Sequence, residues 1–247
     1  MNDFSYYALS ALAVLITLTV HEYAHAYAAY KMGDPTARNL GRLSLNPLKH
    51  LDPVGALCMI FFHFGWAKPV PINARNFKNP RRGFAISALA GPLINLVIAF
   101  LSAPIYLMLS KAFLNLSASG NFNSFAFNVT YNASLFFYIF HAVNLGIALF
   151  NLIPVPPLDG SRILGLLLPQ KYYFAIMRHE RTIYYFLLGW LLIGDFVSDS
   201  LLSLSFIATN PALTFLTYCL SLSNILGFAI DGVSWLITSF WSLFPFI

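Results

Sequence analysis

The chain alternates between long apolar runs and short segments that are polar or rich in proline. Four of the runs cover residues 6–30, 83–110, 134–153 and 182–202, and each is close to the ~20 residues that a helix needs to cross a bilayer. A fifth apolar region, residues 212–247, is compatible with one long helix or two short ones. The pattern predicts an all-α polytopic membrane protein with about five to six transmembrane helices.

Two shorter segments follow the first run. Residues 51–66 are apolar, but the segment is only 16 residues long and has Lys49 and Lys68 on its two sides, so we expect it to be re-entrant rather than spanning. Residues 68–75 alternate and contain two prolines, which is typical of a strand at the edge of a sheet. The sequence therefore predicts a re-entrant segment and a short β-strand or hairpin after the first helix.

Composition supports the membrane assignment independently. Hydrophobic residues make up 58% of the 247 residues, charged residues make up 9%, and the mean hydropathy is +0.69, whereas about 25% of residues are charged in soluble domains. We expect residues 1–247 to form a single integral membrane domain. The net charge of +5 does not indicate nucleic-acid binding, because the basic residues flank the apolar runs, where they set orientation.

The positions of the basic residues predict that orientation. All 14 Lys and Arg fall in two blocks, residues 31–111 and residues 162–181. The positive-inside rule places both blocks in the cytoplasm, apart from Lys111 at the end of the second run, and it places residues 115–131 outside. We expect a multi-pass protein of a bacterial or archaeal type of cell membrane, with the lipid bilayer as its surroundings.

A metal-binding motif lies inside the first apolar run, where residues 21–25 read His-Glu-Tyr-Ala-His. His21 and His25 share one face of a helix and can bind one Zn²⁺, while Glu22 can take a proton from a water molecule at the metal. The two cysteines lie in apolar segments and form no C-x-x-C pair, so the ligands should be nitrogen and oxygen atoms. Because ionisable groups within a span are costly, the motif predicts zinc chemistry at membrane depth.

Catalytic zinc usually has a third protein ligand, and Asp159 is the best candidate. It follows the proline-rich break at residues 154–157, which ends the third run. His21 lies about 15 residues, or about 23 Å, into the first run and so near the inner face. Asp159 comes just before the basic Arg162 and so lies near the same face. We therefore expect His21, His25 and Asp159 to meet in an active site toward the cytoplasmic side.

Four motifs, taken in order, resemble the site-2 protease family of intramembrane zinc metalloproteases. They are the motif at residues 21–25, Asn-Pro-Leu-Lys-His-Leu-Asp-Pro at 46–53, Ala-Gly-Pro-Leu-Ile-Asn at 90–95 and Asn-Leu-Ile-Pro-Val-Pro-Pro-Leu-Asp-Gly at 151–160. The resemblance covers about residues 6–170, the expected catalytic core, and residues 182–247 would be additional helices. The chain resembles a minimal form of the family, without the PDZ or CBS domain that many relatives contain.

The resemblance implies a zinc metalloendopeptidase that hydrolyses a peptide bond in or beside a transmembrane segment of another membrane protein. His21, His25 and Asp159 match the family's zinc ligands, Glu22 matches its catalytic glutamate, and Asn151 matches an asparagine that contacts the substrate or the developing oxyanion. We expect the substrate to be cut first by another protease.

A helical substrate must be unwound locally before its peptide bond can be attacked. The edge formed by residues 68–75, with Val70 and Ile72 at its centre, is a candidate to pair with the unwound segment by strand addition. The same residues are equally compatible with a rigid connecting loop.

Other interpretations of these residues stay open at this stage. The histidines and Asp159 are also compatible with a divalent-ion or proton transporter, in which Glu22 would be a ligand and no peptide would be cut. Asp159 alone would suit a turn. Asn151 would suit a helix end, where it satisfies carbonyl groups that prolines leave free.

Overall fold

Helices make up almost all of the regular structure in the computed structural model, which describes residues 3–53, 55, 67–120 and 125–245. The helices that position the site and its surroundings are α1 (Asp3–Lys31), α2 (Thr36–Asn39), α3 (Pro80–Ala118), α4 (Phe125–Leu152), α5 (Asp159–Leu167), α6 (Gln170–Arg178), α7 (Glu180–Leu202), α8 (Ser205–Ala208), α9 (Pro211–Tyr218) and α10 (Leu222–Trp241). Short 3₁₀-helices lie at Pro47–Lys49 and Ala74–Asn76.

Five helices in the described part of the chain are long and apolar enough to cross a membrane: α1, α3, α4, α7 and α10. This confirms the prediction of a helical multi-pass membrane protein. The last apolar region forms two helices, α9 and α10, because the chain turns before Ser221. The Ser221 side chain caps α10 by accepting a hydrogen bond from the N–H of Asn224 at 3.1 Å.

The predicted strand or hairpin at residues 68–75 is wrong, since the described residues contain no strand there. The physical reason lies in the backbone donors. The two prolines have no N–H to contribute to a ladder, and two of the other donors bond to carboxylates instead of a neighbouring strand. The N–H of Val70 donates to Glu22, and the N–H of Asn73 donates to Asp34.

The predicted re-entrant segment, residues 51–66, lies almost wholly outside the described residues. Its two ends are described, and they lie side by side. Leu51 and Ala67 form an isolated antiparallel bridge, and the N–H of Lys68 donates to the carbonyl of His50 at 2.8 Å. The chain therefore returns at residue 67 to the place that it left at residue 51.

The core of the molecule forms around α3, which contacts α1, α4 and α5, while α1 also contacts α4. The buried positions of α3 are small: they include Ala85, Ala88, Gly91, Ala99 and Ala103. Small side chains allow helix backbones to approach closely in a membrane, where packing rather than the hydrophobic effect holds helices together. This close approach places α3 directly against the motif on α1.

Buried polar side chains connect the spans to one another. Asn144 on α4 donates from Nδ2 to Oγ1 of Thr17 on α1 at 2.9 Å. His141, one turn earlier on α4, has Nδ1 at 2.8 Å from the carbonyl oxygen of Ala99 on α3 and Nε2 at 2.9 Å from Oγ of Ser234 on α10. Interhelical hydrogen bonds of this kind fix the rotation of each helix in the bundle.

A small apolar cluster holds the segment before α5 in place. Leu158 is buried against Leu187 of α7 and Leu222 of α10, with Trp190 and Leu226 packed around them. Leu158 immediately precedes Asp159, the first residue of α5. The C-terminal helices thus contact the chain next to one of the predicted ligands.

Candidate metal centre and active site

Helix α1 places the two histidines of the motif on the same face, as their spacing predicts. Both are buried, with 4% of His21 and 7% of His25 exposed. Their Nε2 atoms lie 2.9 Å apart. Because the surroundings are helical and apolar, two imidazole nitrogens aimed at one point require a common partner.

Asp159 supplies a carboxylate at that point. Its Oδ2 lies 3.3 Å from Nε2 of His21 and 3.2 Å from Nε2 of His25. Burial raises the pKa of the Asp159 carboxyl, but the hydrogen bonds with the two histidines outweigh burial and hold the pKa below its ordinary range. Asp159 is therefore an anion in this arrangement, the form in which a carboxylate binds a metal.

The donor set fits zinc. In the described part of the chain, His21, His25 and Asp159 are the cluster of metal-binding side chains, and their ligand atoms all lie within 4.8 Å of one another. Bonds of about 2.0–2.2 Å to a tetrahedral Zn²⁺ place neighbouring ligand atoms roughly 3.3 Å apart. The measured separations of 2.9, 3.2 and 3.3 Å are close to that value. Two nitrogens and one oxygen also leave a fourth position, as catalytic zinc requires.

The ring orientation of His25 is fixed from α3. Its Nδ1 lies 2.7 Å from the carbonyl oxygen of Ser87, and a carbonyl can only accept, so Nδ1 carries the proton. Without a metal, Nε2 can also carry a proton and donate to the Asp159 carboxylate. When a metal binds, that proton leaves and the Nε2 lone pair faces the metal. Hydrogen bonds of this type orient ligating histidines in zinc sites.

Asn95 plays the corresponding part for His21. Its side-chain amide lies 3.3 Å from Nδ1 of His21, and its Oδ1, which is buried, has no hydrogen-bond partner among the described residues. A half-turn of the amide brings Oδ1 to Nδ1–H and frees Nε2 of His21 to bind a metal. Sequence patterns could not show this contact, because the two residues are 74 positions apart.

Gly91 allows α3 to approach the histidines. A Cβ atom at this position would overlap Nε2 of His25 and would lie 2.7 Å from Cε1 of His21. The absence of a side chain lets α3 pack closely against its neighbour. The structure shows that the partners in that packing are the two imidazole rings, so any side chain here would occupy the space where the ligands converge.

Glu22 is half-buried on α1, next to His21. Its Oε2 accepts a hydrogen bond of 2.9 Å from the N–H of Val70. Residues 68–73, which we call the proline segment, therefore lie against the predicted general base. The segment is held at its start by Arg42, whose Nη2 donates to the carbonyl of Lys68 at 2.6 Å.

Asp34 anchors the other end of the proline segment, and sequence reasoning missed it. The residue is fully buried and accepts from the N–H of Asn73 at 2.7 Å, from Nδ2 of Asn76 at 2.7 Å and from both the N–H and the hydroxyl of Thr36 at 3.1 and 2.5 Å. Burial raises the pKa of the Asp34 carboxyl, but these hydrogen bonds, led by those of Thr36, outweigh burial and keep the pKa below its ordinary value. The Gly-Asp-Pro-Thr sequence indicates a turn, but not its distant partners.

Asn151 lies near the end of α4. Its Nδ2 donates to the carbonyl of Ile147 on the same helix at 2.9 Å, which is the contact expected of a helix-end asparagine. The structure shows no contact between Asn151 and the three clustered ligands. Its role toward a substrate stays a prediction.

The comparison with known families decides the broader assignment. The sequence profile described as "Peptidase family M50", the site-2 protease family, matches residues 9–193. The chain belongs to this family. The prediction made from the four motifs is thereby confirmed.

Individual relatives agree with the family. The chain is 42% identical over 174 residues to YwhC of Bacillus subtilis (strain 168), which is named as a candidate zinc metalloprotease; the match covers 68% of this chain and 75% of that protein. It is 27% identical over 172 residues to the zinc metalloprotease MJ0392 of Methanocaldococcus jannaschii, covering 70% of this chain and 38% of that protein. It is also 33% identical over 150 residues to Rip2 of Mycolicibacterium smegmatis, another candidate zinc metalloprotease, covering 59% and 52%. No solved structure matches this chain.

Family and relatives together confirm an intramembrane zinc protease with Zn²⁺ as its cofactor and a membrane protein as its substrate. They give no support to the transporter alternative. The roles of individual residues are not tested by these similarities and stay predictions.

Proposed function

We propose that this protein is a site-2 type protease that hydrolyses a peptide bond in or beside a transmembrane segment, with Zn²⁺ bound by His21, His25 and Asp159 and with Glu22 as general base. The observation that carries the proposal is the convergence of these three ligand atoms at one buried point between apolar helices. An anionic aspartate and two oriented imidazoles at such a place have a large desolvation cost, which a bound dication offsets.

Zinc, when bound, supplies a Lewis acid that lowers the pKa of a water molecule and polarises the scissile carbonyl. The protein's own groups do the rest. Val70 holds Oε2 of Glu22, which leaves Oε1 to take the proton from the attacking water. Glu22 then passes this proton to the leaving amide nitrogen, so that one carboxylate acts first as base and then as acid.

The proline segment is the proposed surface for the substrate backbone. In an extended chain, the backbone polar groups of residues i and i+2 face the same side. If the substrate pairs with the proline segment in this way, we expect the carbonyl of Val70 and the N–H of Ile72 to be used, on the side where the N–H of Val70 meets Glu22. No partner for the N–H of Ile72 is found among the described residues. A single unwound stretch of substrate can pair with these two groups by strand addition, although no sheet is formed in the protein itself.

This pairing explains why two prolines are compatible with a substrate-binding edge. Pro69 and Pro71 lack an N–H, but their polar groups face away from Glu22 and are not needed for the pairing. We also propose that the substrate arrives already trimmed by another protease, as the resemblance to the family implies. The proline segment itself is anchored at both ends, by Arg42 and by Asp34.

The proposed setting is a bacterial or archaeal type of cell membrane, with the site toward the cytoplasmic face. The positions of the basic residues support this orientation. Single-cysteine labelling in intact cells should reach position 120 before position 78, and the reverse order would contradict it.

The test of the function compares membrane-protein fragments in cells that carry the natural chain or Glu22→Gln. We expect short fragments of single-span proteins to disappear with Glu22→Gln while their trimmed precursors accumulate, and we expect the purified variant to keep its zinc. Glu180→Gln is a matched control, because Glu180 is the other glutamate of the chain and lies at the start of α7. Identical fragment patterns in the natural and Glu22→Gln strains, with both proteins zinc-loaded, would rule out the protease function.

A further inference from the structure

A pocket of about 260 Å³ opens between the beginning of α3 and the two short helices α5 and α6, away from the metal ligands. Its walls are mostly apolar, and its lining includes Arg81, Phe84, Arg162, Gly165, Tyr173 and Phe174. No carboxylate lines it. The pocket therefore has an apolar wall, and one arginine from each of two different helices belongs to its lining.

The two arginines are held in place without being neutralised. Arg81 donates from Nη2 to the carbonyl of Leu168 at 2.9 Å, and the guanidinium of Arg162 lies 4.8 Å from the ring centre of Phe84. Neither arginine forms an ion pair in the described part of the chain. Glu180 acts electrostatically on Tyr173 but does not pair with either arginine. Each guanidinium keeps donors for a further acceptor.

The surroundings of the pocket indicate a membrane surface. Arg81 lies in the first turn of α3, one of the membrane-spanning helices. Next to it, α6 exposes Tyr172 and Phe174, which are 60% and 64% accessible, together with the basic Lys171. Short helices that expose aromatic and basic residues are typical of the membrane interface.

We propose that this pocket binds the phosphate of an anionic phospholipid, with Arg81 and Arg162 as its ligands and the apolar wall against the glycerol and upper acyl chain. Charge complementarity carries the assignment. Two arginines converge on one apolar cavity at the end of a span, and basic pockets between membrane helices bind anionic headgroups. Arginine suits a phosphate because its guanidinium can donate two parallel hydrogen bonds.

Lipid binding at this place would act on the metal centre through α5. Asp159 and Arg162 are three residues apart on that helix and so lie on the same side of it. A phosphate shared by Arg162 of α5 and Arg81 of α3 would fix the distance between the two helices and, with it, the position of Asp159. This second step rests on the proposed function, whereas lipid binding itself does not.

The test uses the purified full-length protein in a neutral detergent, with a short-chain phosphatidylglycerol as probe and native mass spectrometry as readout. We expect Arg81→Gln/Arg162→Gln to weaken retention of the first bound phosphatidylglycerol about 30-fold. The matched control is Arg82→Gln/Arg178→Gln, which removes the same charge from two exposed arginines outside the pocket. The control should change retention less than about threefold, because a defined site rather than overall charge is responsible.

Two further arms identify the ligand. Short-chain phosphatidylcholine should bind much more weakly, and inorganic phosphate at the same concentration should not displace the lipid. Displacement by inorganic phosphate would overturn the lipid assignment in favour of a free-anion site. Equal losses in the two double variants would overturn the site altogether.

A second experiment uses the natural chain, so it tests the proposal even if Arg81→Gln/Arg162→Gln does not fold. A photoreactive phosphatidylglycerol should label the natural chain within residues 74–84 or 162–174, which line the pocket. Labelling confined to other segments would overturn the proposal. Zinc-dependent cleavage in vesicles with and without phosphatidylglycerol is measured separately. Glu22→Gln separates the two hypotheses, because it should lose cleavage but keep its lipid. If the protease function is wrong, lipid binding is unaffected; if the lipid site is wrong, lipid retention fails even where cleavage is observed.

Discussion

The N-terminal spans and the C-terminal spans are built differently, although both are apolar helices. In the most apolar window of α3, 39% of the residues are buried within the protein, but in that of α10 only 6% are buried. Helix α3 is packed through small residues and contacts both histidines of the motif. Helix α10 contacts its neighbours through a few side chains, such as Ser234 and Trp241, whose Nε1 donates to the carbonyl of Phe100 at 2.9 Å.

This difference teaches where sequence constrains structure in a membrane protein. Most positions of α10 are not buried within the protein, and almost any apolar residue satisfies a position that faces lipid. The helices around the metal centre must instead place particular atoms within tenths of an ångström of one another. The family match ends at residue 193, before α8, α9 and α10. If this division is real, equivalent substitutions should have large effects in the first region and small effects in the second.

The largest contrast is expected between two aspartates. Asp159→Ala removes a predicted ligand, so zinc affinity should fall by more than the ~10- to 100-fold that loss of a hydrogen bond behind a ligand costs. Cleavage should disappear with it. Zinc content per molecule, measured after dialysis against a weak chelator, checks this directly.

The control for this substitution is Asp195→Ala on α7. Asp195 accepts hydrogen bonds from Ser221 and Ser223 within the C-terminal region. Zinc content and cleavage should stay within roughly a factor of two of the natural chain, because the hydrogen bonds of Asp195 go to these serines and not to a predicted ligand. Full zinc retention in Asp159→Ala would remove this aspartate from the ligand set.

A pair of glycines gives the next contrast. Gly91→Ala places a methyl group on Nε2 of His25, so either the ring or α3 must shift. Displacements of this kind cost about 1–3 kcal/mol in well-packed cores. We expect zinc affinity and cleavage to fall at least tenfold.

The matched variant is Gly227→Ala on α10. Apart from the backbone of α10 itself, no atom of the described residues lies within 4 Å of a Cβ built at this position, so the methyl group meets no neighbouring helix. Thermal unfolding should be unchanged or slightly raised, since alanine favours a helix over glycine by up to about 1 kcal/mol. Equal effects of the two substitutions on zinc binding would contradict the packing of α3 against the histidines.

Asp34→Asn is expected to affect substrate positioning rather than the metal. The amide is a weaker acceptor for the four donors of Thr36, Asn73 and Asn76, so the proline segment should loosen next to Glu22. We expect cleavage to fall several-fold through a higher KM, with zinc content unchanged. Loss of hydrogen bonds to a buried charge should also lower the free energy of unfolding by about 1–3 kcal/mol.

Asp34 should also make the stability of the protein depend on pH. The pKa of Asp34 is lower in the folded protein than its ordinary value, so its stabilisation is fully present above about pH 4 and is lost as pH falls through the lower folded pKa. The stability difference between the natural chain and Asp34→Asn should therefore be constant near neutral pH and shrink below about pH 4. Denaturation series at several pH values would measure it, and a difference that grows on acidification would be inconsistent with a buried carboxylate.

Hydropathy was sufficient to predict the spans, and the resemblance of four motifs was sufficient to predict the family. The cluster of His21, His25 and Asp159 followed from helical spacing and from depth in the membrane. Residues whose role depends on a distant partner were not predictable. Asp34 meets Asn73 across 39 positions and Asn95 meets His21 across 74. The prediction of a strand at residues 68–75 was wrong for a related reason. Alternation of side chains cannot show that the N–H of Val70 is already bonded to Glu22.

The smallest effect is expected where the two regions meet. Ser234 on α10 is the partner of His141 Nε2, and His141 is itself buried between α3 and α4. Ser234→Ala leaves this nitrogen unpaired, which should cost about 1 kcal/mol and lower the unfolding temperature by roughly 2–4 °C. Zinc content and cleavage should not change, because His141 contacts none of the predicted ligands.

Ser242→Ala is the control. The Ser242 hydroxyl donates to the carbonyl of Ser239 at the exposed end of α10. Its loss should shift the unfolding temperature by less than about 1 °C. Should Ser234→Ala instead reduce cleavage as strongly as Gly91→Ala, the C-terminal helices would have to act on the metal centre through α4, and the division between a constrained catalytic region and a tolerant outer one would not hold.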